Sequence, residues 1–384
     1  MLLTVEDYRR ESQRRLPRAV FDFIDGGAED EVTLRRNREA FGRIGLVPRV
    51  LADVHEVDTA TSVLGRRLAS PLLLAPTGLC GMATSRGEIP SARAAVEAGV
   101  IFTASCMSSV TLEEIAREAP GEHWFQLYVW RDRGLTRSLI DRAAAAGYRA
   151  LVVTVDTPVL GRRERDLRNG ATIPPRITVR NALDTLRRPR WLLTMARGPR
   201  PTFANVAGPS AGLRPFALSP FVNGLFDPTV TWADLGWIRG LWRGPLLVKG
   251  VMCAEDAREA VAQGAAGIVV SNHGGRQLDG APATMEVLPE VVEAVGGEVE
   301  VLLDSGIRRG ADVARALALG ARACMVGRAY LYGLAVGRQQ GVARVLGILG
   351  TELERSMALM GCARVADLGP DCVRPAGGRH RDVD

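Results

Sequence analysis

Eight short apolar runs recur along the chain, and this repeat constrains the fold more than any other feature of the sequence. Most of the runs are separated by an amphipathic helical pattern that ends at a glycine, which is a helix-stop signal. Apolar runs that alternate with such helices at spacings of roughly 20 to 30 residues are typical of parallel strands with crossover helices. The runs occupy residues 72–76, 100–105, 124–128, 151–156, 246–250, 267–272, 299–304 and 323–327.

Eight such units predict an α/β protein with a closed (β/α)8 TIM barrel. An open doubly wound sheet is the alternative, but no G-x-G-x-x-G turn opens a first βα unit here. We expect one barrel domain over residues 1–384, with a helical cap over 1–60 and an inserted loop over 157–231 after the fourth strand. A last amphipathic helix is predicted over 351–362, followed by a polar tail.

The composition excludes several classes of protein. With 47% hydrophobic and 24% charged residues, the chain has ordinary globular usage, so disorder, collagen and coiled coil are poor descriptions. No run of about 18 apolar residues occurs, and the N-terminus is charged from Glu6 onward, which argues against a spanning helix or a signal peptide. The six cysteines are scattered without a C-x-x-C pair, so we expect no metal site, no disulfide framework and a cytoplasmic location.

The net charge of +6 comes from one segment, because residues 162–214 hold twelve arginines against three carboxylates. Within residues 176–203 the arginines are mixed with Trp191 and other apolar side chains, as in a segment that lies on an anionic membrane surface. A lid over the pocket is the equal alternative, with the arginines on its solvated side. No aromatic stacking platform accompanies the arginines, so nucleic acid is not an expected partner.

In a barrel of this type, chemistry collects at the carboxyl ends of the strands. The seventh and eighth strands end in DSGIRRG and VGR, where glycine amides together with Arg308 and Arg328 predict a phosphate site. Lys249, the only lysine of the chain, ends the fifth strand. A compact ammonium there favours a cofactor whose reduced form is anionic. The alternative is a lysine that simply reaches water.

The segment SNHGGRQLD places His273 at a strand end, beside two glycines that let a ligand approach the backbone. An imidazole, whose ordinary pKa is near 6.5, can act as a general base at neutral pH. Asp156 is a candidate to orient it, and its alternative role is to cap the following loop. Arg163 and Arg276 fit bidentate recognition of a carboxylate. With the phenol of Tyr128, they describe a pocket for a small 2-hydroxy acid.

These motifs together resemble the FMN-dependent 2-hydroxy-acid oxidase and dehydrogenase family, in order over residues 4–365. Within that family, GGAEDE, APTGL, RPRW and RRGADVARALALGA are most similar to the (S)-mandelate dehydrogenases, whose loop at the position of the basic insertion binds membrane. The motifs that carry the family resemblance are FDFIDGGAEDE, LLLAPTG, WFQLYV, VTVDTPVLGRRERDLRNG, LLVKGV, GIVVSNHGGRQLDG, LLDSGIRRGADVARALALGA and MVGRAYLYGLA.

The resemblance implies oxidation of an (S)-2-hydroxy acid to the 2-oxo acid, with oxygen or a membrane-bound or soluble carrier as the final acceptor, in a homotetramer. His273 would remove a proton, paired with Asp156, while Arg163 and Arg276 would hold the carboxylate and Tyr128 would bond near the hydroxyl. FMN would lie against the strand ends. The implied cofactor-binding residues are Pro76, Thr77, Gly78, Ser105, Gln126, Thr154, Lys249, Ser271, Asp304, Gly306, Arg308, Gly327 and Arg328.

Three positions bear on the substrate side chain. Phe23 occupies a position that is commonly tyrosine in the family, Met107 replaces the tryptophan of glycolate oxidases, and Gly78 stands where alanine is common. Together they favour an aryl or large aliphatic side chain, as in mandelate. Two other hypotheses remain open: a different FMN barrel reaction such as an isomerisation, and a lipid-docking protein with a degenerate barrel. The final electron acceptor and the choice between hydride and carbanion paths also stay open.

Overall fold

The computed structural model describes residues 1–169, 179–206 and 224–376. Eight parallel strands close into a barrel in chain order, with the eighth strand pairing with the first. The prediction of a (β/α)8 barrel is therefore confirmed. We number the barrel strands β1 (Leu72–Leu74), β2 (Ile101–Ser105), β3 (His123–Leu127), β4 (Ala150–Thr154), β5 (Leu246–Val251), β6 (Gly267–Val270), β7 (Glu300–Leu303) and β8 (Ala323–Val326).

The strands are apolar throughout because both of their faces are covered. Alternate strand residues such as Leu73, Trp124, Val152 and Met325 form one buried cluster. Their neighbours along the strands pack in a second cluster with the surrounding helices. Most observed strands end one or two residues before the predicted runs do. At β1 the reason is local, since Pro76 has no amide N–H with which to continue the ladder.

The predicted helical patterns between strands are helices in the structure, with ends within a few residues of those expected. Most of their carboxyl-terminal glycines take the left-handed conformation that stops a helix, namely Gly99, Gly147, Gly264 and Gly320. These helices cover the outside of the barrel. They span Glu88–Glu97, Leu112–Glu118, Arg133–Ala145, Ala254–Ala262, Thr284–Val295 and Gly310–Ala318. A further helix, Trp232–Leu241, precedes β5 where no helical pattern was predicted.

The described part of the inserted segment contains helices, where its Pro and Arg content predicted a loop. Helices span Glu164–Arg168, Val179–Leu186 and Pro189–Ala196. The last of these begins at a proline, whose fixed φ suits the first turn of a helix. Residues 170–178 and 207–223 lie outside the described part of the chain, and with them the first three residues of the basic stretch 176–203.

The amino-terminal cap contains helices Val5–Arg15, Arg18–Asp25 and Val32–Gly42, as predicted for residues 1–60. The final helix predicted over 351–362 is present but ends at Leu359 and begins much earlier, because the structure has a helical stretch over Arg328–Leu359 with a kink at Gly337 and Arg338. Its apolar stripe continues back from Leu353 through Leu349 to Val342, so packing extends the helix beyond the segment that stood out in sequence.

Part of the polar tail predicted after the final helix forms a strand. Strand Val373–Pro375 pairs antiparallel with Ile44–Leu46 of the cap. A second short hairpin, Thr61–Val63 with Arg66–Leu68, precedes β1. Over the three described ranges, no helix combines the length and the apolar character needed to cross a membrane.

Candidate active site

A cavity of about 750 Å³ opens at the carboxyl ends of the barrel strands. It gathers the predicted site residues except Asp156 and Ser271, which lie behind the wall, bonded to His273 and Lys249. The predicted residues that line it are Phe23, Pro76, Thr77, Gly78, Ser105, Met107, Gln126, Tyr128, Thr154, Arg163, Lys249, His273, Arg276, Asp304, Gly306, Arg308, Gly327 and Arg328.

The imidazole of His273 faces the Asp156 carboxylate, with 2.8 Å between Nδ1 and Oδ1. A carboxylate only accepts hydrogen bonds, so Nδ1 carries the proton and Nε2 is left with a lone pair. Burial alone would raise the pKa of Asp156, but His273 and Lys249 outweigh burial and hold it below its ordinary value. The pair is therefore an imidazole base backed by a charged carboxylate.

The His273 loop has an unusual backbone. His273, Gly274 and Gly275 all have φ between 57° and 72°, the left-handed region that a histidine rarely adopts. Gly275 is required there, because a Cβ atom would lie 2.6 Å from the amide nitrogen of Leu34 in the cap helix. The amide of His273 also donates to Ser271 Oγ at 3.1 Å. The double glycine thus lets the loop turn against the cap and direct the imidazole into the cavity.

Lys249 is almost fully buried, with 4% of its surface exposed. Its Nζ lies 2.9 Å from Asp304 Oδ2 and donates to Ser271 Oγ at 2.7 Å. Burial lowers the pKa of Lys249, but the facing carboxylates of Asp304 and Asp156 outweigh burial and raise it overall. A β-bulge follows at Gly250, whose φ of +112° places the backbone against Asp156. The ammonium is thus a fixed positive charge at the floor of the cavity.

The ring end of the cavity is formed by Ser105, Gln126, Thr154 and Lys249, where contacts to the flavin ring are predicted. The register of the barrel pairs Ser105 with Gln126 and Thr154 with Lys249. Ser105 Oγ donates to Gln126 Oε1 at 2.8 Å, yet within the described structure neither Gln126 Nε2 nor Thr154 Oγ1 has a hydrogen-bond partner. Buried polar atoms are rarely left in this state, so these two fit a polar ligand such as the edge of a flavin ring.

The other end of the cavity, named the phosphate end because a phosphate site is predicted there, is formed by Gly306, Arg308, Gly327 and Arg328. Arg308 lies over the ring of Tyr332, 5.7 Å from its centroid, and donates to a neighbouring carbonyl. Arg328 donates to the carbonyl oxygens of Ile24, Gly26 and Gly274 at 2.8–3.1 Å. The structure thus brings both arginines to the cavity, but Arg328 also binds the cap to the His273 loop.

Two guanidinium groups lie over the ring of Phe23. The guanidinium carbon atoms (Cζ) of Arg163 and Arg276 lie 5.7 and 5.4 Å from the ring centroid. Arg163 Nε also donates to Asp166 Oδ2 at 2.8 Å. Burial, together with the like charges of Arg163 and Arg328, holds the pKa of Arg276 well below its ordinary value. The site is therefore short of negative charge, which an anionic ligand can supply.

Tyr128 closes the cavity next to the imidazole. Its ring packs edge-on against Phe226 and Trp130, with centroids 5.1 and 5.5 Å away. Burial and the nearby Asp156 carboxylate raise the pKa of the Tyr128 phenol above its ordinary value. The phenol therefore stays protonated at neutral pH and can donate a hydrogen bond to a ligand oxygen.

Sequence reasoning missed a charged cluster behind the cavity. Asp25 accepts hydrogen bonds from Arg9, from Arg165 and from the Tyr332 hydroxyl. Asp25 lies on the apolar face of the helix that contains FDFID. A carboxylate on a face expected to be buried was the sequence signal for this cluster. Phe203 and Phe226, which line the cavity from the insertion, carry no comparable signal because their segment shows no periodicity.

The fold and the cavity are those of a (β/α)8 barrel enzyme, with a buried ammonium, a histidine–aspartate pair and two guanidinium groups around one space. A model of the FMN-dependent dehydrogenase family matches residues 12–375. The chain therefore belongs to this family and is an FMN enzyme that oxidises 2-hydroxy acids.

Individual relatives share almost the whole length of the chain. An L-lactate oxidase from Nostoc sp. is 46% identical over 366 residues, which are 94% of this chain and 95% of that protein. An L-lactate dehydrogenase from Pectobacterium atrosepticum is 43% identical and covers 98% of both chains. The crystal structure of the monotopic membrane protein (S)-mandelate dehydrogenase has a TM-score of 0.94 at 42% identity, covering 98% of this chain and 100% of that chain.

Proposed function

We propose that the protein oxidises (S)-2-hydroxy acids with an aryl or large aliphatic side chain, such as mandelate, to the 2-oxo acids. The observation that carries this proposal is the set of apolar side chains that line the same cavity as His273 and the guanidinium groups. Position 107 is a methionine rather than the larger tryptophan, and position 23 is a phenylalanine rather than a tyrosine. The apolar set is formed by Phe23, Met107, Leu160, Leu167, Phe203 and Phe226.

In the proposed reaction the substrate loses its α-hydrogen and its hydroxyl proton, so that two electrons leave and a carbonyl forms. FMN, when bound, supplies the two-electron acceptor. Nε2 of His273 takes a proton from the substrate, and the Asp156 carboxylate stabilises the resulting imidazolium. This division of roles holds whether the proton comes from the α-carbon or from the hydroxyl group.

Substrate orientation comes from the polar and cationic side chains of the same cavity. The guanidinium groups of Arg163 and Arg276 bind the carboxylate, and the protonated phenol of Tyr128 donates to the hydroxyl or carboxylate oxygen. The residues around the cofactor are those that the resemblance implied, with Lys249 at the ring end and Arg308 and Arg328 at the phosphate end. The unpartnered Gln126 and Thr154 atoms support this placement.

A panel of 2-hydroxy acids tests the substrate. The kcat/KM for flavin reduction, followed as anaerobic bleaching, should be higher for (S)-mandelate than for lactate. It should be lowest for glycolate. Met107→Trp should reduce the space over the substrate side chain and reverse this order. A wild-type preference for glycolate would contradict the proposal, and bleaching by none of these acids would favour another flavin reaction such as an isomerisation.

Replacement of His273 by Gln tests the base. We expect the variant to retain its yellow FMN while bleaching by mandelate slows by about 10²- to 10⁴-fold, the usual contribution of a positioned base. His55→Gln is the matched control, because His55 is exposed and distant in sequence from every site residue. A His273→Gln rate equal to that of the wild type would exclude His273 as the base.

We also propose that the basic insertion makes peripheral contact with the anionic inner face of the cell membrane. The described part of the segment exposes Leu183, Leu186 and Leu193 among its arginines. Trp191 does not belong to this exposed set, because its Nε1 donates to Met82 O at 2.9 Å. Interfacial segments combine such apolar side chains with cationic ones.

Co-sedimentation with vesicles tests this contact. The protein should bind vesicles with anionic lipid more than zwitterionic ones, and Leu186→Ser with Leu193→Ser should weaken that binding. Equal recovery of both proteins in the supernatant would favour the lid interpretation. The homotetramer that the resemblance implies is proposed on that ground alone and is tested by sedimentation velocity.

A further inference from the structure

We propose that Gln277 is the positioning residue that holds the two catalytic loops in register. The proposal rests on the function proposed above, since it concerns the same base and the same carboxylate-binding groups. One loop, residues 156–163, carries Asp156 and Arg163. The other loop, residues 271–277, carries His273 and Arg276. Each half of the acid–base pair and each guanidinium therefore depends on how these loops meet.

The side-chain amide of Gln277 bonds the first loop at three backbone positions. Nε2 donates to the carbonyl oxygens of Asp156 at 3.0 Å and Val159 at 2.9 Å. Oε1 accepts from the amide of Gly161 at 3.1 Å. The first bond orients the peptide that carries the Asp156 carboxylate. The other two fix the chain that leads to Arg163.

The loops are also in direct backbone contact at Gly161. A Cβ atom on Gly161 would lie 2.3 Å from the carbonyl oxygen of Arg276 and 2.7 Å from Cα of Gln277. No side chain can enter this space without pushing the loops apart. The glutamine amide thus bridges two backbones at their point of closest approach, where a small displacement moves both Asp156 and Arg163 relative to His273.

The chemistry of the three contacts requires an amide. Two carbonyl oxygens need donors and one N–H needs an acceptor, and the primary amide of glutamine supplies both kinds of group at one side-chain end. A glutamate of the same length would place carboxylate oxygens against two carbonyl oxygens. A methionine of similar length would satisfy none of the three groups.

The far side of the His273 loop has its own support. Asn272 and Asn37 exchange two side-chain hydrogen bonds of 2.8 Å, and Asp279 accepts from the backbone of the cap helix at Val32 and Thr33. These contacts do not involve Gln277. Loss of the Gln277 amide should therefore displace the Asp156 loop from the His273 loop without releasing the His273 loop from the cap.

The holoenzyme variants Gln277→Glu and Gln277→Met test the proposal. Displacement of reacting groups by about 1 Å costs on the order of 100-fold in rate, so we expect kcat for flavin bleaching to fall roughly 10- to 100-fold. FMN content and Tm should stay near those of the wild type, and the pH profile of kcat should shift because the His273–Asp156 bond is altered. Gln263→Glu is the matched control, since Gln263 bonds only Glu259 among the contacts of the structure described here.

A second readout does not depend on turnover. The Nδ1 proton of His273, bonded to Asp156, should give a downfield NMR signal in the substrate-free protein, identified by its loss in His273→Gln. We expect this signal to shift or broaden in both Gln277 variants and to be unchanged in Gln263→Glu. If the wild type bleaches with no 2-hydroxy acid, the proposed function fails, but the NMR comparison still decides the role of Gln277.

Two results would overturn the inference. One is a wild-type kcat, pH profile and Nδ1 signal in both variants. The other is a loss confined to FMN content and Tm, with an unchanged kcat per bound FMN, which would mean that Gln277 has a structural role only. If Gln277→Glu fails to fold, Gln277→Met alone is compared with the wild type on the same readouts.

Discussion

The two ends of the cavity satisfy their polar groups in different ways. At the ring end, Gln126 Nε2 and Thr154 Oγ1 are buried and have no partner within residues 1–169, 179–206 and 224–376. At the phosphate end, the Arg328 guanidinium already donates to three carbonyl oxygens from the cap and the His273 loop. The ring end is thus prepared for a ligand, whereas the phosphate end also holds the protein together.

This difference has an energetic consequence. A buried polar group without a partner costs about 1–3 kcal/mol, and a ligand that satisfies it recovers that amount. The unpartnered groups at the ring end should therefore affect cofactor binding and protein stability in opposite directions. Groups that already have protein partners should affect both in the same direction. The following variants test this contrast.

The largest effect is expected for Lys249→Met at the ring end, because it leaves Asp304 buried without its cation. Breaking a buried ion pair in this way costs about 3–5 kcal/mol, which should appear in the free energy of unfolding of the apoprotein in urea. The double variant Lys249→Met with Asp304→Asn should recover most of the loss. Equal instability of the single and double variants would show that the ion pair is not the cause.

Next in size is the loss of FMN affinity in Arg308→Met. A charge-assisted hydrogen bond contributes about 1.5–3 kcal/mol, so FMN should bind roughly 10- to 100-fold more weakly while riboflavin binding changes little. Arg328→Met should in addition lower the stability of the apoprotein, because three carbonyl oxygens lose their donor. Arg309→Met is the control, since Arg309 is half exposed and pairs with Glu352. Equal losses for FMN and riboflavin would exclude a phosphate contact.

A smaller effect, of opposite sign in the two states, is expected for Thr154→Val. Removal of the unpartnered hydroxyl should stabilise the apoprotein by about 1 kcal/mol and weaken FMN binding several-fold. Thr103→Val is the matched control, because Thr103 Oγ1 is also buried without a partner in the described structure but does not line the cavity. Thr103→Val should stabilise the apoprotein and leave FMN affinity unchanged. A fall in both apoprotein stability and FMN affinity for Thr154→Val would contradict the difference between the two ends.

The last expected effect is a change in how stability depends on pH, and it comes from the charged cluster behind the phosphate end. Burial alone would raise the pKa of Asp25, but the Arg9 guanidinium and the Tyr332 hydroxyl outweigh burial and lower it. Its stabilisation is complete above the unfolded pKa of about 3.9 and is lost as pH falls toward the folded value.

Acid titration of stability measures this contribution. The slope of the unfolding free energy against pH below about pH 4 should be shallower in Asp25→Asn than in the wild type. Asp371→Asn, at an exposed position, should leave that slope unchanged. A wild-type slope in Asp25→Asn would show that Asp25 does not carry the acid sensitivity.

Much of the site could be predicted because residues with suitable chemistry lie at the predicted strand ends. His273, Lys249 and Asp304 each follow an apolar run at its carboxyl end, so a barrel must bring them to one rim. Asp25, Arg165 and Gln277 could not be found in this way. Their roles depend on which loops approach each other, and nothing periodic in the sequence encodes that approach. The helices within residues 157–231 were missed because the Arg and Pro content of that segment favoured a loop.

The sequence by itself therefore determined the barrel and the chemical groups at its rim, because local hydrophobic periodicity decides which residues lie in strands and which follow them. The tertiary structure alone decided the 2.8 Å contact between His273 and Asp156, the unpartnered atoms of the ring end and the carbonyl partners of Arg328. These features join segments far apart in the chain. Such contacts depend on strand register and on how the cap and the loops pack, which no local pattern specifies.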